Sequence, residues 1–219
     1  MLKALVFDFD GVIVDTETEW YYIYRDWLKQ TYDYDLSIQD YLVCVGSSSE
    51  RLFSFIRQEL GTDEEIRKFE SHSTEEFIKR TKKLPAMNGV AQLIKEAKAK
   101  GLKLAIATSA TRKKPYYHLE RLQLLDYFDV FSTSEVSEHI KPEPDIFLKA
   151  AQLLGCSCEE CLAVEDSYNG LLAARRANMP CLIVPNKITE SSNFDGCYQM
   201  VSSLEEINLE AVMKEFQEM

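Results

Sequence analysis

The sequence predicts an α/β fold: a Rossmann-like parallel sheet with helices on both faces, plus an inserted α-helical domain. Five apolar runs have strand length: Leu2 to Phe7, Leu102 to Ala107, Phe128 to Phe131, Cys161 to Val164 and Cys181 to Val184. Helical patterns alternate with these runs, as right-handed crossovers between parallel strands require. About ninety residues separate the first two runs, where a dozen suffice for a crossover, so a domain is inserted there.

The runs are continuously apolar, which is what burial on both faces demands of a strand. Among the helices, Val90, Leu93, Ile94 and Ala97 share a face closed by Gly101, and Ile146, Phe147, Ala150 and Leu154 share one closed by Gly155. The inserted segment, residues 16–83, lacks proline and holds twelve of the 24 aromatic residues. Helical spacing recurs at Trp20, Tyr24, Trp27 and Leu28, and again at Leu52, Phe55, Ile56 and Leu60 before Gly61. A further helix is expected over 64–83 with Phe69, Phe77 and Ile78 inward, and an amphipathic covering helix over 204–219. The domains are therefore a core of 1–15 with 84–219 and a helical insert of 16–83, and the aromatic stripe reads as the insert's own core.

The 219 residues carry 25 Lys and Arg against 36 Asp and Glu, a net charge of −11. That balance argues against nucleic acid and anionic membranes as partners. No run approaches a membrane span, and Asp8 and Asp10 interrupt the apolar N-terminus, so a cytoplasmic protein without a signal peptide is expected. Six cysteines in such a chain read as reduced thiols. Cys156, Cys158 and Cys161 lack a fourth ligand at zinc-site spacing. His72, His118 and His139 are scattered and read as structural.

Polar residues end the strands. Asp8-Phe9-Asp10-Gly11 follows the first, Thr108-Ser109 the second and Glu165-Asp166-Ser167 the fourth, while Lys141 follows the third. In an open α/β sheet these ends share one edge, where ligands bind. Clustered carboxylates repel one another unless a cation joins them, and a hard cation such as Mg2+ suits oxygen ligands and phosphate. Asp8 and Asp10 leave an extended segment on the same side. One can attack phosphorus while the other serves the leaving oxygen and then activates water. Lys141 would withdraw charge from the phosphoryl oxygens, and the Gly11 turn would let backbone N–H groups approach them.

FDFDGVIVDTE, ATSAT, IKPEPDIF and VEDSYNG, in that order, resemble the four signature motifs of the haloacid dehalogenase superfamily. The resemblance covers nearly the whole chain. It is to the branch with a helical cap after the first strand, which includes β-phosphoglucomutases and many small phosphatases. It implies Asp8 as nucleophile, Asp10 as general acid/base, Ser109 as phosphate-binding hydroxyl and Lys141 as phosphate-side cation. Phe9 and Ala110 join the phosphate-binding positions, and Trp20 shapes the pocket from the cap. Asp166 matches the acidic magnesium ligand beside Asp8 and the main-chain carbonyl of Asp10, with Glu165 a nearby or water-mediated ligand.

The resemblance leaves phosphatase and mutase to be distinguished. β-Phosphoglucomutases carry a His in the first cap helix and a basic residue in the cap loop. Here Trp20 and Gly46-Ser47-Ser48-Ser49 stand instead, with Arg51 the nearest cation. The expectation is thus a monomeric phosphatase acting on a small phosphorylated metabolite. The alternatives are a phosphosugar mutase and, from another class, a phosphoryl-accepting or binding module without turnover.

Overall fold

Among the described residues, β1 (Ala4–Phe7), β2 (Lys103–Ala107), β3 (Val130–Ser132), β4 (Cys161–Glu165), β5 (Cys181–Ile183) and β6 (Gln199–Met200) form one sheet in the order β3-β2-β1-β4-β5-β6. Every pairing is parallel, with Phe7 in register with Ile106 on one side and Val164 on the other. The structure, a computed structural model, describes residues 1–59 and 63–218. Between β1 and β2 lie α1 (Thr16–Tyr32), α2 (Ile38–Tyr41), α3 (Glu50–Glu59), α4 (Asp63–Thr81) and α5 (Val90–Ala99). Then α6 (Lys113–Arg121) follows β2, α7 (Asp145–Leu154) follows β3, α8 (Tyr168–Arg176) follows β4, and α9 (Leu209–Glu218) follows β6.

Strand side chains alternate between the two faces of the sheet. Leu5, Phe7, Leu104, Ile106, Leu162 and Val164 pack with Val90 and Ile94 of α5, Leu119 of α6 and Phe216 of α9. Ala4, Val6, Ala105, Ala107 and Ala163 meet Ile146 and Phe147 of α7 and Leu171 of α8 on the other face. The small residues on that face leave room for the larger side chains of α7. Burying a Phe such as Phe7 or Phe147 completely contributes about 1.5–3 kcal/mol.

Helices α1–α4 surround a separate apolar cluster that includes Tyr21, Tyr24, Leu28, Tyr41, Leu52, Ile56, Phe69 and Phe77. Trp20 stacks on Phe77 at 4.1 Å between centroids, and Trp27 stacks on Phe69 at 3.9 Å. The aromatic stripe is therefore largely internal packing, as its spacing predicts. One core residue, Ile188 in the loop after β5, also belongs to this cluster.

Several expectations change. Ile78 is 57% exposed, because the buried stripe of α4 runs through Phe69, Ser73, Phe77 and Thr81 at intervals of four and Ile78 lies one step around the helix. The third strand begins at Val130, since Phe128 closes a 3-10 turn and packs edge-on against Phe7. Leu204–Glu206 form a 3-10 turn of their own, and α9 starts only at Leu209, next to Asn208, whose side chain accepts from Ala211 N–H. The edge strand β6, two exposed residues, has no apolar run to announce it. Leu60 and Gly61 lie outside the described residues, as do the side chains of Arg51 and Phe55.

Candidate active site

The carboxyl ends of β1, β2 and β4 bring their polar residues to one edge. Asp8, one residue beyond β1, is 2% exposed, and its Oδ1 accepts from Lys141 Nζ at 2.7 Å. Burial pushes the Asp8 carboxyl up to about 8; Lys141 opposes the shift, and Glu165 and Asp10 add to it. Lys141 is completely buried and donates also to Glu165 Oε1 at 2.6 Å. Burial alone would lower the Lys141 pKa, but these two carboxylates outweigh it and hold the ammonium charged.

Glu165 is saturated. Its second oxygen accepts from the N–H groups of Asp166 and Ser167 and from Ser167 Oγ. Ser167 Oγ in turn caps α8 by accepting from Gly170 N–H at 3.0 Å. A Cβ on Gly170 would stand 2.0 Å from the Glu165 carboxylate carbon, so this helix can approach β4 only through glycine.

Asp166 is held differently. Its Oδ2 accepts from Asn186 Nδ2 at 2.7 Å, while Oδ1 is buried without a hydrogen-bond partner. Burial, then Glu165 and Asp8, push its carboxyl well above the ordinary range. Carboxylate oxygens of Asp8, Glu165 and Asp166 lie within 4.8 Å of one another. An orphaned buried oxygen amid clustered hard donors fits a divalent cation. Asp8 and Asp166 have the capacity to hold it directly, whereas both Glu165 oxygens already accept hydrogen bonds.

Asp10 points elsewhere. Its Oδ1 accepts from Lys114 Nζ at 2.7 Å and from Thr16 Oγ1. Asp8 and Asp10 both line a cavity of about 370 Å³ between the sheet edge and the helical insert, with Ser109, Ala110, Lys114, Glu17 and Trp20. Burial, followed by the charge of Asp10, pushes the Glu17 carboxyl up to about 7, and Tyr41 OH donates to it at 2.9 Å.

Not every predicted residue reaches this cavity. Phe9 is wholly buried against the His118 ring, so its side chain is packing. Lys141, Glu165 and Asp166 stand behind Asp8 and do not line the cavity. Gly11 takes a φ of +77°, and a Cβ there would meet Asp166 Oδ2 at 2.2 Å and Asn186 Nδ2 at 2.6 Å. The turn thus has a packing reason for its glycine besides backbone approach to a ligand.

The insert reaches the site through the segment 45–49. Ser109 Oγ donates to Gly46 O at 3.0 Å, Ser47 Oγ donates to Lys141 O, and Asn169 Nδ2 donates to Val45 O at 2.8 Å. Sequence reasoning missed Thr16, Glu17, Lys114 and Asn186. Asn186 had a usable signal: it follows the fifth apolar run, and the rule applied to the other strand ends applies there as well. Outside the site, Glu138 and His139, exposed in the loop before α7, also cluster with half-buried Asp145 at the start of that helix, His139 Nδ1 lying 3.0 Å from Asp145. All six cysteines are free thiols, and burial pushes Cys161 up to about 12.

Comparison with known proteins adds an independent line. Residues 5–184 match the family model described as haloacid dehalogenase-like hydrolase. The chain is 37% identical over 210 residues to YhcW of Bacillus subtilis, covering 95% of each protein. It is 28% identical over 179 residues to the phosphorylated carbohydrates phosphatase of Thermotoga maritima, covering 81% of this chain and 82% of that one. Among solved structures it resembles CbbY from Rhodobacter sphaeroides in complex with phosphate, with a TM-score of 0.76 and 28% identity over 94% of this chain and 96% of the other.

Proposed function

Since the chain belongs to the haloacid dehalogenase-like hydrolases and is a phosphatase, we propose that it hydrolyses a small phosphomonoester, such as a sugar phosphate, with Mg2+ and through an aspartyl-phosphate at Asp8. The observation that carries this reading is the division of labour between two carboxylates facing one cavity. Asp8 is held by Lys141, and Asp10 by Lys114 and Thr16.

An Asp8 oxygen attacks phosphorus while Asp10 gives its proton to the departing alcohol oxygen. Water then loses a proton to Asp10 and attacks the same phosphorus as the Asp8 oxygen leaves, releasing inorganic phosphate and restoring the Asp8 carboxylate and the protonated Asp10. Lys141 offsets the charge on Asp8 throughout. Ser109 Oγ exchanges its bond to Gly46 O for a phosphate oxygen, beside Ala110 and the main chain of Phe9. When bound by Asp8, Asp166 and the Asp10 carbonyl, with Glu165 supporting from behind, magnesium supplies positive charge to the phosphoryl group.

On the same reading, residues 1–15 and 84–219 are the core and 16–83 a cap that opens to release product. The enzyme is then a cytoplasmic monomer acting on a phosphorylated metabolite. No helix among the described residues is long and apolar enough to cross a membrane. Among the described residues, the cap segment offers the cavity the hydroxyls of Ser47, Ser48 and Ser49, which favours hydrolysis over the mutase alternative.

The test is steady-state hydrolysis of p-nitrophenyl phosphate with Mg2+. Multiple turnovers are expected, lost on adding EDTA and lost in Asp8→Asn with the fold retained. A stable phosphoprotein without turnover would instead establish the phosphoryl-accepting module, and conversion of β-glucose 1-phosphate to its isomer would establish the mutase.

A further inference from the structure

The three buried carboxylates of the site are not compensated alike. Asp8 and Glu165 share the ammonium of Lys141. Asp166 receives only the neutral amide of Asn186, at 2.7 Å on Oδ2. That contact leaves its charge uncompensated and its other oxygen, Oδ1, without a partner. A carboxylate free to turn could exchange its two oxygens, whereas one pinned by a single donor presents the same oxygen always.

Asn186 is itself fixed. Its Oδ1 accepts from Ile188 N–H at 2.9 Å, from Thr189 N–H at 3.2 Å and from Thr189 Oγ1 at 3.3 Å, and these contacts determine which end of the amide faces Asp166. Its own N–H donates to Thr189 Oγ1 at 3.0 Å. Two residues on, Ile188 is 1% exposed within the apolar cluster of α1–α4, and Lys187 Nζ donates to Tyr22 OH of α1 at 2.9 Å. Gly11 closes over the Asp166 and Asn186 side chains with no room for a Cβ.

We propose that Asn186 is the positioning residue that turns Asp166 so that Oδ1 receives the divalent cation. It rests on the magnesium reading above and adds a residue outside the four motifs. Asn186 touches neither the cation nor the phosphoryl group; it acts through Asp166 alone.

The experiment is calorimetric titration of the full chain with MgCl2, substrate absent, alongside thermal unfolding without metal. Wild type is expected to bind. Asn186→Ala should bind about 10- to 100-fold more weakly, the range for loss of a partner that orients a metal ligand. Asn186→Leu, which keeps the volume, should do the same and serves if the alanine variant does not fold. Lys187→Met removes the contact of the same loop to Tyr22, leaves the bonds of the Asn186 side chain and Asp166 in place, and should bind within about threefold of wild type. Wild-type affinity in both Asn186 variants overturns the proposal. So does an equal loss in Lys187→Met, because Asn186 would then act only through the fold of its loop. A wild-type chain that binds no Mg2+ fails at the earlier step and overturns the magnesium reading itself.

Discussion

Lys141 donates to Glu165 at 2.6 Å in a place where neither side chain touches solvent. Glu165 is the fixed end of this pair, since two backbone N–H groups and Ser167 Oγ hold its other oxygen. Lys141 is thereby aimed at Asp8. Removing one partner of a buried pair leaves an uncompensated charge at a cost of about 3–5 kcal/mol. Lys141→Met should lose stability on that scale in urea unfolding and should lose hydrolysis as well. Unchanged stability would mean that the two carboxylates take up protons without penalty.

Asp10 has partners of its own and no bond to Lys141. Asp10→Asn keeps the shape but can neither protonate the leaving oxygen nor take a proton from water. Hydrolysis should fall about 10²- to 10⁴-fold. Because the second step depends on Asp10 too, a chain heavier by one phosphoryl group should accumulate, visible by intact mass after a rapid acid quench. Wild-type rates in this variant would remove Asp10 from the chemistry.

Gly170 sits where α8 crosses the end of β4, and an added methyl would overlap a carboxylate that cannot move aside. Gly170→Ala should cost about 1–3 kcal/mol, the range for overpacking, in spite of alanine's better helix propensity. It should also lower hydrolysis by displacing Glu165 and hence Lys141. A stabilised variant would show that Glu165 has freedom the hydrogen bonds deny it.

His118 is buried on α6, and its Nδ1 accepts from Arg121 Nη2 at 2.7 Å. Burial, reinforced by the Arg121 charge, pushes its pKa from 6.5 down to about 4. The unfolded chain takes up this proton near 6.5 and the folded one near 4, so the neutral ring's stabilisation is whole above 6.5. It is lost as pH falls through that window, by about 1.4 kcal/mol per unit. Between pH 6.5 and 4, wild type should therefore lose about 1.4 kcal/mol more of its urea stability per unit of acidification than His118→Gln. The difference isolates the ring, because the carboxylates titrate in both proteins. Parallel slopes would refute the assignment.

The sheet and the ends of its first, second and fourth strands were legible because apolar runs and the polar residues that end them are local features. Ile78 was misread because the buried stripe of α4 is narrow, running at intervals of four through Phe69, Ser73, Phe77 and Thr81, and the sequence does not say on which side of Phe77 the stripe ends. Lys114 reads as an ordinary helix-surface lysine; its partner Asp10 is 104 positions away in the chain. Ser109 is implied as the phosphate-binding hydroxyl; its bond to Gly46 O, in the loop between α2 and α3, is a contact that only the folded arrangement brings about. Local pattern thus locates the groups that bear charge, whereas their pairing depends on the crossovers between strands.

The position of β1 has a consequence for biosynthesis. Of the six strands β1 leaves the ribosome first, and it stands between β2 and β4, whose residues begin at Lys103 and Cys161. Its backbone groups and both of its faces must wait for more than half of the chain before they are covered. Meanwhile α1–α4, encoded immediately after it, can already gather most of their aromatic cluster. A nascent chain therefore carries a part-formed helical domain beside a bare apolar strand, and long-range closure of this kind is slow and open to misassociation. Truncation after β2 should then yield aggregating chains, whereas truncation after β5 retains both strands that pair with β1.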